Sequence, residues 1–127
     1  MLESGITGRC VVLPRCRFLC YQFVGGEFSP HVDMCKPVDE FDSQGCQKST
    51  HTFMIHLADC PEGSGETVFL SSVHDTIALA KLGEGVLGAA LPQRGRLVVF
   101  PHECPHAGLP VSDAFTKLFL RGELLIE

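Results

Sequence analysis

The chain has 127 residues and a formal net charge of −5, with 45% hydrophobic and 20% charged residues. A chain of this size forms one domain around a single core, and the composition is ordinary for a globular protein. The negative charge and the lack of a basic run argue against a nucleic-acid partner, whose binders carry a positive surface. No stretch approaches the roughly 18 consecutive apolar residues of a spanning helix, so no membrane partner is expected.

The N-terminus and the cysteines bear on where the protein works. The first residues, MLESGITGRC, lack a basic region followed by an apolar core, so no signal peptide is predicted and we expect a cytoplasmic protein. The chain contains seven cysteines, an odd number, without a Cys-x-x-Cys pair. This pattern favours reduced, mostly buried thiols over a disulfide framework or a tetrathiolate zinc site.

Strand patterns dominate the chain, as apolar and aromatic runs separated by Gly, Pro and Asp. The predicted strands are residues 17–24, 27–34, 51–60, 66–72, 96–100 and 117–127. Segments 35–50 and 101–113 are polar and rich in turn residues, which indicates loops. One short helical candidate lies at 73–82, where apolar residues recur at helical spacing. Short strands separated by turn signals predict an all-β sandwich or barrel with one or two short helices.

The stretch FSPHVDM (28–34) places His31 and Asp33 two residues apart in a predicted strand. Successive side chains of a strand point to opposite faces, so these two side chains would share one face. They form either a polar pair on a solvated face or part of a metal site. In the 2-His-1-carboxylate facial triad, two histidines and one acid bind one face of Fe(II) and leave the other positions open. A second histidine would have to come from later in the chain.

Three blocks of the sequence resemble Fe(II)/2-oxoglutarate-dependent dioxygenases of the prolyl 4-hydroxylase-like branch. RFLCYQFVGGEFSPHVD resembles the first metal-binding strand of that family, with its Pro-His-x-Asp. THTFMIHLADCPEGSGETVFL resembles the next block, and RGRLVVFPHECPHAGLPVSDAFTKLFLRGELL resembles the last, with His-x-Gly-x-Pro-Val followed by Lys-x-x-x-Arg. The blocks occur in the family's order over residues 17–125. The resemblance implies that residues 1–127 form a catalytic domain with a double-stranded β-helix, a cupin-like jelly roll.

The resemblance carries the metal ligands to His31, Asp33 and His106. His102 is the rival for the third position, because residues 102, 104 and 106 would share a face of an extended chain. The HAGLPV context favours His106. The cofactors implied are Fe(II), 2-oxoglutarate and O₂, with ascorbate as an optional addition.

The resemblance also implies a site for the distal carboxylate of 2-oxoglutarate. Lys117 falls on the family's lysine for this task, and a buried carboxylate needs such a cationic partner. Arg121, four residues later on the same strand face, is the alternative anchor. Tyr21 and Thr52 match positions whose hydroxyl groups assist at the same carboxylate. His56 stands where relatives often have tyrosine, and we interpret it as a supporting residue and not as a ligand.

The implied activity is hydroxylation of an unactivated C–H bond with release of succinate and CO₂. The substrate is a peptide, a protein or a small molecule, and peptidyl proline is the candidate that the resemblance suggests. Loops 35–50 and 71–95, which we expect to set specificity, carry no recognisable motif. Two alternatives stay open: a non-catalytic cupin-like metal-binding module, and a zinc-stabilised interaction domain that uses His102, Cys104, His106 and another cysteine.

The relatives cover the larger sheet of this fold with N-terminal helices that have no counterpart in the matching blocks. The resemblance therefore implies the C-terminal part of a longer domain. Apolar residues of the larger sheet should then be exposed, and the candidates are VVL (11–13) and LLI (124–126).

Overall fold

The computed structural model describes residues 8–21, 27–39, 47–74, 85–112 and 115–127. Within these ranges the chain is all-β, as predicted, and forms no helix, so none that could cross a bilayer. The strands are β1 (Cys10–Val12), β2 (Arg17–Tyr21), β3 (Phe28–His31), β4 (His51–His56), β5 (Thr67–Leu70), β6 (Val86–Ala90), β7 (Leu97–Pro101), β8 (His106–Gly108) and β9 (Lys117–Ile126). Of the helical candidate at 73–82, the first two residues form a turn and the rest lies outside the described residues.

The strands form two antiparallel sheets. In the larger sheet the order is β1-β9-β4-β7, and β2 pairs with the first half of β9 on the edge that β1 also uses. In the smaller sheet the order is β3-β8-β5-β6. Phe69 of the smaller sheet packs on Phe100 of the larger sheet, with ring centroids 5.2 Å apart. The two packed sheets agree with the predicted jelly roll.

The centre of the larger sheet places several candidate residues on one face. β4 pairs with β7 on one side and β9 on the other, so its side chains alternate between the two faces of a continuous sheet. Met54 packs with Phe100 and Phe119 in the core between the sheets. Side chains two residues apart share this inner face, and on β4 and β9 they include Thr52, His56, Lys117 and Arg121.

Two strand predictions are wrong beside the candidate metal ligands. β3 ends at His31, so Asp33 follows the strand. The chain leaves the ladder because the Asp33 N–H donates to the carbonyl of His102 (3.0 Å) and not to β8. The predicted loop 101–113 contains β8, which pairs with both β3 and β5. β8 has only three residues and no β-branched side chain, so its sequence carries no strand signal.

Exposed apolar residues occur on the larger sheet, but mostly outside the predicted segments. Among residues 11–13 and 124–126, all of them described, Val12 alone is exposed. The second segment is covered because the end of β9 lies between β1 and β4. Outside these two segments, the exposed apolar side chains of the larger sheet include Phe18 on β2 and Leu97 on β7, which are 74% and 59% exposed.

The prediction that the cysteines are mostly buried is wrong for the described residues. All six cysteines in the described residues are free, and four of them are exposed. The exposed ones lie on or beside the short strands β1 and β2, and after β3, where one side of the chain meets solvent: Cys10, Cys16, Cys20 and Cys35.

Candidate metal centre and adjoining cavity

His31, Asp33 and His106 converge at the junction of β3 and β8. One ligand atom from each lies within 4.8 Å of the others. His31 Nε2 is 3.4 Å from Asp33 Oδ1, and His106 Nε2 is 3.6 Å from Asp33 Oδ2. The pairing register of the smaller sheet places His31 directly opposite His106. Separations of this size suit three ligands at about 2 Å from a common divalent ion.

Both imidazoles are oriented for metal binding. Nδ1 of His31 donates to the carbonyl of Ser29 at 2.7 Å, and Nδ1 of His106 donates to the carbonyl of Cys104 at 3.0 Å. A neutral imidazole that donates from Nδ1 carries its lone pair on Nε2. Burial lowers the pKa of His106, which favours this neutral form. The Nε2 atoms that face Asp33 are therefore free to coordinate a cation.

The Asp33 carboxylate is held at both oxygens. Its side chain is 4% exposed; Oδ2 accepts the hydroxyl of Thr52 at 2.6 Å, and Oδ1 accepts Nη2 of Arg121 at 2.9 Å. Burial alone would raise the pKa of Asp33, but the contacts with His31, Thr52 and Arg121 outweigh it and hold the pKa well below its ordinary value. Asp33 is thus ionised, as a carboxylate ligand must be.

His102, the rival third ligand, lies behind Asp33 and outside the cluster. Its Nδ1 is 2.9 Å from the hydroxyl of Thr52, and its Nε2 is 2.8 Å from the hydroxyl of Ser49. Both ring nitrogens are therefore engaged. No cysteine joins a metal-binding cluster among the described residues, which disfavours the zinc-stabilised alternative that would use Cys104.

A cavity of about 110 Å³ adjoins the metal cluster and runs between the sheets. His31 and His106 line one part of it, and Lys117 lines another. Its lining includes three cationic side chains, those of Arg17, Lys117 and Arg121. A cavity with this charge, next to a divalent-cation site, favours an anionic ligand.

Lys117 is the most unusual of these cations. Lys117 is only 1% exposed, and its Nζ lies 5.5 Å from the ring centroid of Tyr21 and 5.3 Å from that of Phe119. Among the described residues, no carboxylate is within ion-pairing distance of it. Burial lowers the pKa of Lys117 to about 8. Because a buried cation without a partner is costly, this end of the cavity suits an anionic group of a ligand.

The remaining predicted residues divide between the two ends of the site. Tyr21 lines the cavity and is paired with Lys117 in the register of β2 and β9. Thr52 was expected at the cosubstrate carboxylate, but its hydroxyl lies between Asp33 and His102. Arg121 contacts Asp33, so of the two candidate anchors it is the one at the metal end.

His56 is fully buried beside Phe119, with ring centroids 5.9 Å apart. Neither ring nitrogen has a hydrogen-bond partner among the described residues. Burial, with Lys117 and Arg96 nearby, lowers the pKa of His56 to about 4. His56 is therefore a neutral residue of the core, in line with a supporting role.

Sequence reasoning missed two residues of the site. Arg17 lines the cavity from the start of β2; it shares a strand face with Tyr21, so alternation along β2 could have found it. Ser49 lies in a polar segment before β4 and forms a hydrogen bond with His102. Nothing in the sequence links these two residues, which are 53 positions apart.

Comparison with known proteins gives one family and several solved structures. The family described as the 2OG-Fe(II) oxygenase superfamily matches residues 16–122. No curated protein matches the chain. The fold is similar to a prolyl-4-hydroxylase from Pseudomonas putida, at TM-score 0.58 and 22% identity over 88% of this chain and 52% of that one.

Two further structures share the fold. A viral collagen prolyl hydroxylase from Paramecium Bursaria Chlorella virus-1, solved with 2OG, matches at TM-score 0.51 and 20% identity over 91% of this chain and 63% of that one. A non-heme monooxygenase, the ThoJ–Ni complex, matches at TM-score 0.61 and 14% identity over 92% of this chain and 44% of that one. The chain thus spans about half the length of these structures.

Proposed function

The chain belongs to the 2OG-Fe(II) oxygenase superfamily, and on that basis we propose that it is an Fe(II)- and 2-oxoglutarate-dependent dioxygenase. The reaction is hydroxylation of an unactivated C–H bond with release of succinate and CO₂. One observation carries the proposal: a cluster of two histidines and one aspartate opens onto a cavity that contains the buried cation of Lys117.

In this proposal His31, Asp33 and His106 hold the metal. The donor set fits Fe(II), since imidazole nitrogen and carboxylate oxygen are the ligands of the facial triad. Bound Fe(II) and 2-oxoglutarate supply the oxidising chemistry, and the protein supplies orientation and a shaped, dry site. The backbone carbonyls that fix both imidazoles support these roles, because such partners set the ring orientation of metal ligands.

Lys117 holds the distal carboxylate of the cosubstrate, and Tyr21 borders it across the strand pair. This choice of anchor rests on charge balance. The Arg121 guanidinium is paired with Asp33, whereas Lys117 has no acidic partner within ion-pairing distance in the described ranges. A carboxylate ligand would give the Lys117 ammonium the partner that burial otherwise denies it.

The substrate is a peptide, a protein or a small molecule. Peptidyl proline is the first substrate to test, because two of the similar structures are named as prolyl hydroxylases. Of the loops expected to set specificity, residues 40–46 and 75–84 lie outside the described part of the chain.

The test combines metal binding with product analysis. Purified protein should bind one Mn(II) or Fe(II) per chain by calorimetry, and with Fe(II), O₂ and 2-oxoglutarate it should release succinate, most rapidly with its substrate present. His106→Ala removes a ligand and should abolish metal binding and succinate release together. If the wild-type protein binds metal but never consumes 2-oxoglutarate, the non-catalytic metal-binding module is the correct function.

A further inference from the structure

We propose that Ser49, His102 and Thr52 form a hydrogen-bonded chain that positions the Asp33 carboxylate for the metal, with His102 as its central positioning residue. The proposal rests on the metal site proposed above. It assigns a role to the histidine that the sequence offered only as a rival ligand.

The contacts are continuous and buried. Ser49 Oγ is 2.8 Å from His102 Nε2, His102 Nδ1 is 2.9 Å from Thr52 Oγ1, and Thr52 Oγ1 is 2.6 Å from Asp33 Oδ2. Ser49, His102 and Thr52 are 3%, 5% and 0% exposed. Hydrogen bonds shielded from water to this degree are stronger than exposed ones, and an unpaired member would be costly.

The direction of each hydrogen bond follows from the donors available. An ionised carboxylate only accepts, so Thr52 must donate its single hydroxyl proton to Asp33. The Thr52 oxygen can then only accept from His102, which places the imidazole proton on Nδ1. In a neutral ring Nε2 is then an acceptor, and it receives the hydroxyl proton of Ser49. The Ser49 oxygen in turn accepts the backbone N–H of Lys36 at 2.8 Å, so every group in the chain is satisfied.

Asp33 depends on this chain because it lies beyond the end of β3. No strand ladder fixes its backbone; its N–H donates instead to the carbonyl of His102 at 3.0 Å. His102 is itself fixed by its N–H, which donates to the carbonyl of Thr50 at 2.9 Å. His102 therefore holds Asp33 twice, through the backbone and, by way of Thr52, through the carboxylate.

The experiment uses two pairs of matched variants and measures Mn(II) affinity by calorimetry, without turnover. Thr52→Val keeps the shape and loses the hydroxyl, and it should weaken Mn(II) binding by about 10–100-fold, the usual effect of removing a partner of a metal ligand. Thr52→Ser keeps the hydroxyl and should stay within about threefold of wild type.

The second pair separates the two nitrogens of His102. An asparagine amide reaches the position of Nδ1, so His102→Asn keeps a donor for Thr52. A glutamine amide reaches the position of Nε2, so His102→Gln keeps the contact with Ser49 and loses the donor. His102→Gln should therefore bind Mn(II) as weakly as Thr52→Val, and His102→Asn should stay close to wild type. The Co(II) absorption spectrum should change in the same order.

A merely structural role predicts a different pattern. Both His102 variants would then lower the melting temperature of the metal-free protein to similar degrees, while their Mn(II) affinities stayed equal. Equal affinities for His102→Asn and His102→Gln would overturn the inference, even if Thr52→Val failed to fold. In that case His106→Ala would still abolish binding and the proposed function would stand. If the wild-type protein bound no metal, both the function and the inference would be refuted.

Discussion

Replacing Lys117 by methionine should stabilise the protein and weaken cosubstrate binding at the same time. Burial lowers the pKa of Lys117 from 10.5 to about 8, and one pKa unit corresponds to about 1.36 kcal/mol. Keeping the ammonium charged in the empty cavity therefore costs roughly 3 kcal/mol at neutral pH. Methionine has a similar length and no charge, so Lys117→Met should raise the free energy of unfolding by up to about 3 kcal/mol in the absence of 2-oxoglutarate.

The pH dependence gives this estimate a sign that can be checked. The folded-state pKa of Lys117 lies below the unfolded value, so the unfolded chain binds more protons between about pH 8 and 10.5. As the pH rises through that range, Lys117 loses its proton and the cost of burying its charge disappears. The free energy of unfolding of wild type should therefore rise relative to that of Lys117→Met. Urea unfolding of both proteins from pH 7 to 10 measures the difference. A constant difference across this range would refute the argument from burial.

Binding should change in the opposite direction. Removing one partner of a desolvated charge pair costs about 3–5 kcal/mol, which is a hundredfold or more in Kd. Calorimetric titration of 2-oxoglutarate into Mn(II)-loaded protein should show this loss for Lys117→Met, with Mn(II) affinity unchanged. Arg17→Met is the matched control, since Arg17 lines the same cavity but is exposed, and it should change Kd only slightly.

The candidate anchors can be distinguished by the same titration. Arg121→Ala should affect 2-oxoglutarate less than Lys117→Met does, because its guanidinium contacts Asp33. If Arg121→Ala abolishes cosubstrate binding and Lys117→Met does not, Arg121 is the anchor and the assignment of Lys117 is wrong. If neither variant alters cosubstrate binding, neither cation is the anchor. If 2-oxoglutarate does not bind the Mn(II)-loaded wild-type protein at all, the chain is a metal-binding module.

Two further predictions concern the core around Lys117. The folded-state pKa of His56 is about 4, below its unfolded value of about 6.5, so the free energy of unfolding of wild type should fall by roughly 3 kcal/mol as the pH is lowered from 6.5 to 4. His56→Phe should lose this part of the acid sensitivity. If the free energy of unfolding falls equally with pH in both proteins, the assignment is wrong. Gly65 has φ +70° and would place a Cβ 3.3 Å from Lys117 Cδ, whereas Gly63 has φ +83° and open space around it. Both alanine variants should therefore lose about 1 kcal/mol of stability, measured by thermal melting, but Gly65→Ala alone should also weaken 2-oxoglutarate binding.

The sequence was informative wherever function depends on residue type and strand alternation. Alternation places Lys117 and Arg121 on one face of β9, and the structure has both facing the cavity. The motif around His31 and Asp33 indicated a ligand pair although the strand ends between them. The pair still converges because the chain turns at Asp33, where its backbone bonds His102.

The prediction for Thr52 failed because a sequence does not show which distant residues a side chain will contact. Alternation puts its hydroxyl on the inner face of β4, but the group that it meets is decided by other parts of the chain. Asp33 is 19 residues away and His102 is 50 residues away. β8 was missed for a related reason: its three residues become a strand only because β3 and β5 flank them. Local propensity carries no record of such long-range pairing.

The residues proposed for metal binding and for cosubstrate binding come from different sheets. His31 and His106 come from β3 and β8 of the smaller sheet, whereas Lys117 and Thr52 come from the larger sheet. Asp33 belongs to neither strand ladder and is held by groups at the larger sheet. A substitution on β9 can therefore change the cosubstrate end of the cavity without moving either imidazole, and one on β4 can change the carboxylate ligand without removing the Lys117 cation. Arg121 is the exception, because it lines the cavity and also contacts Asp33. Away from Arg121, variants well apart in space should have additive effects on metal and cosubstrate affinity.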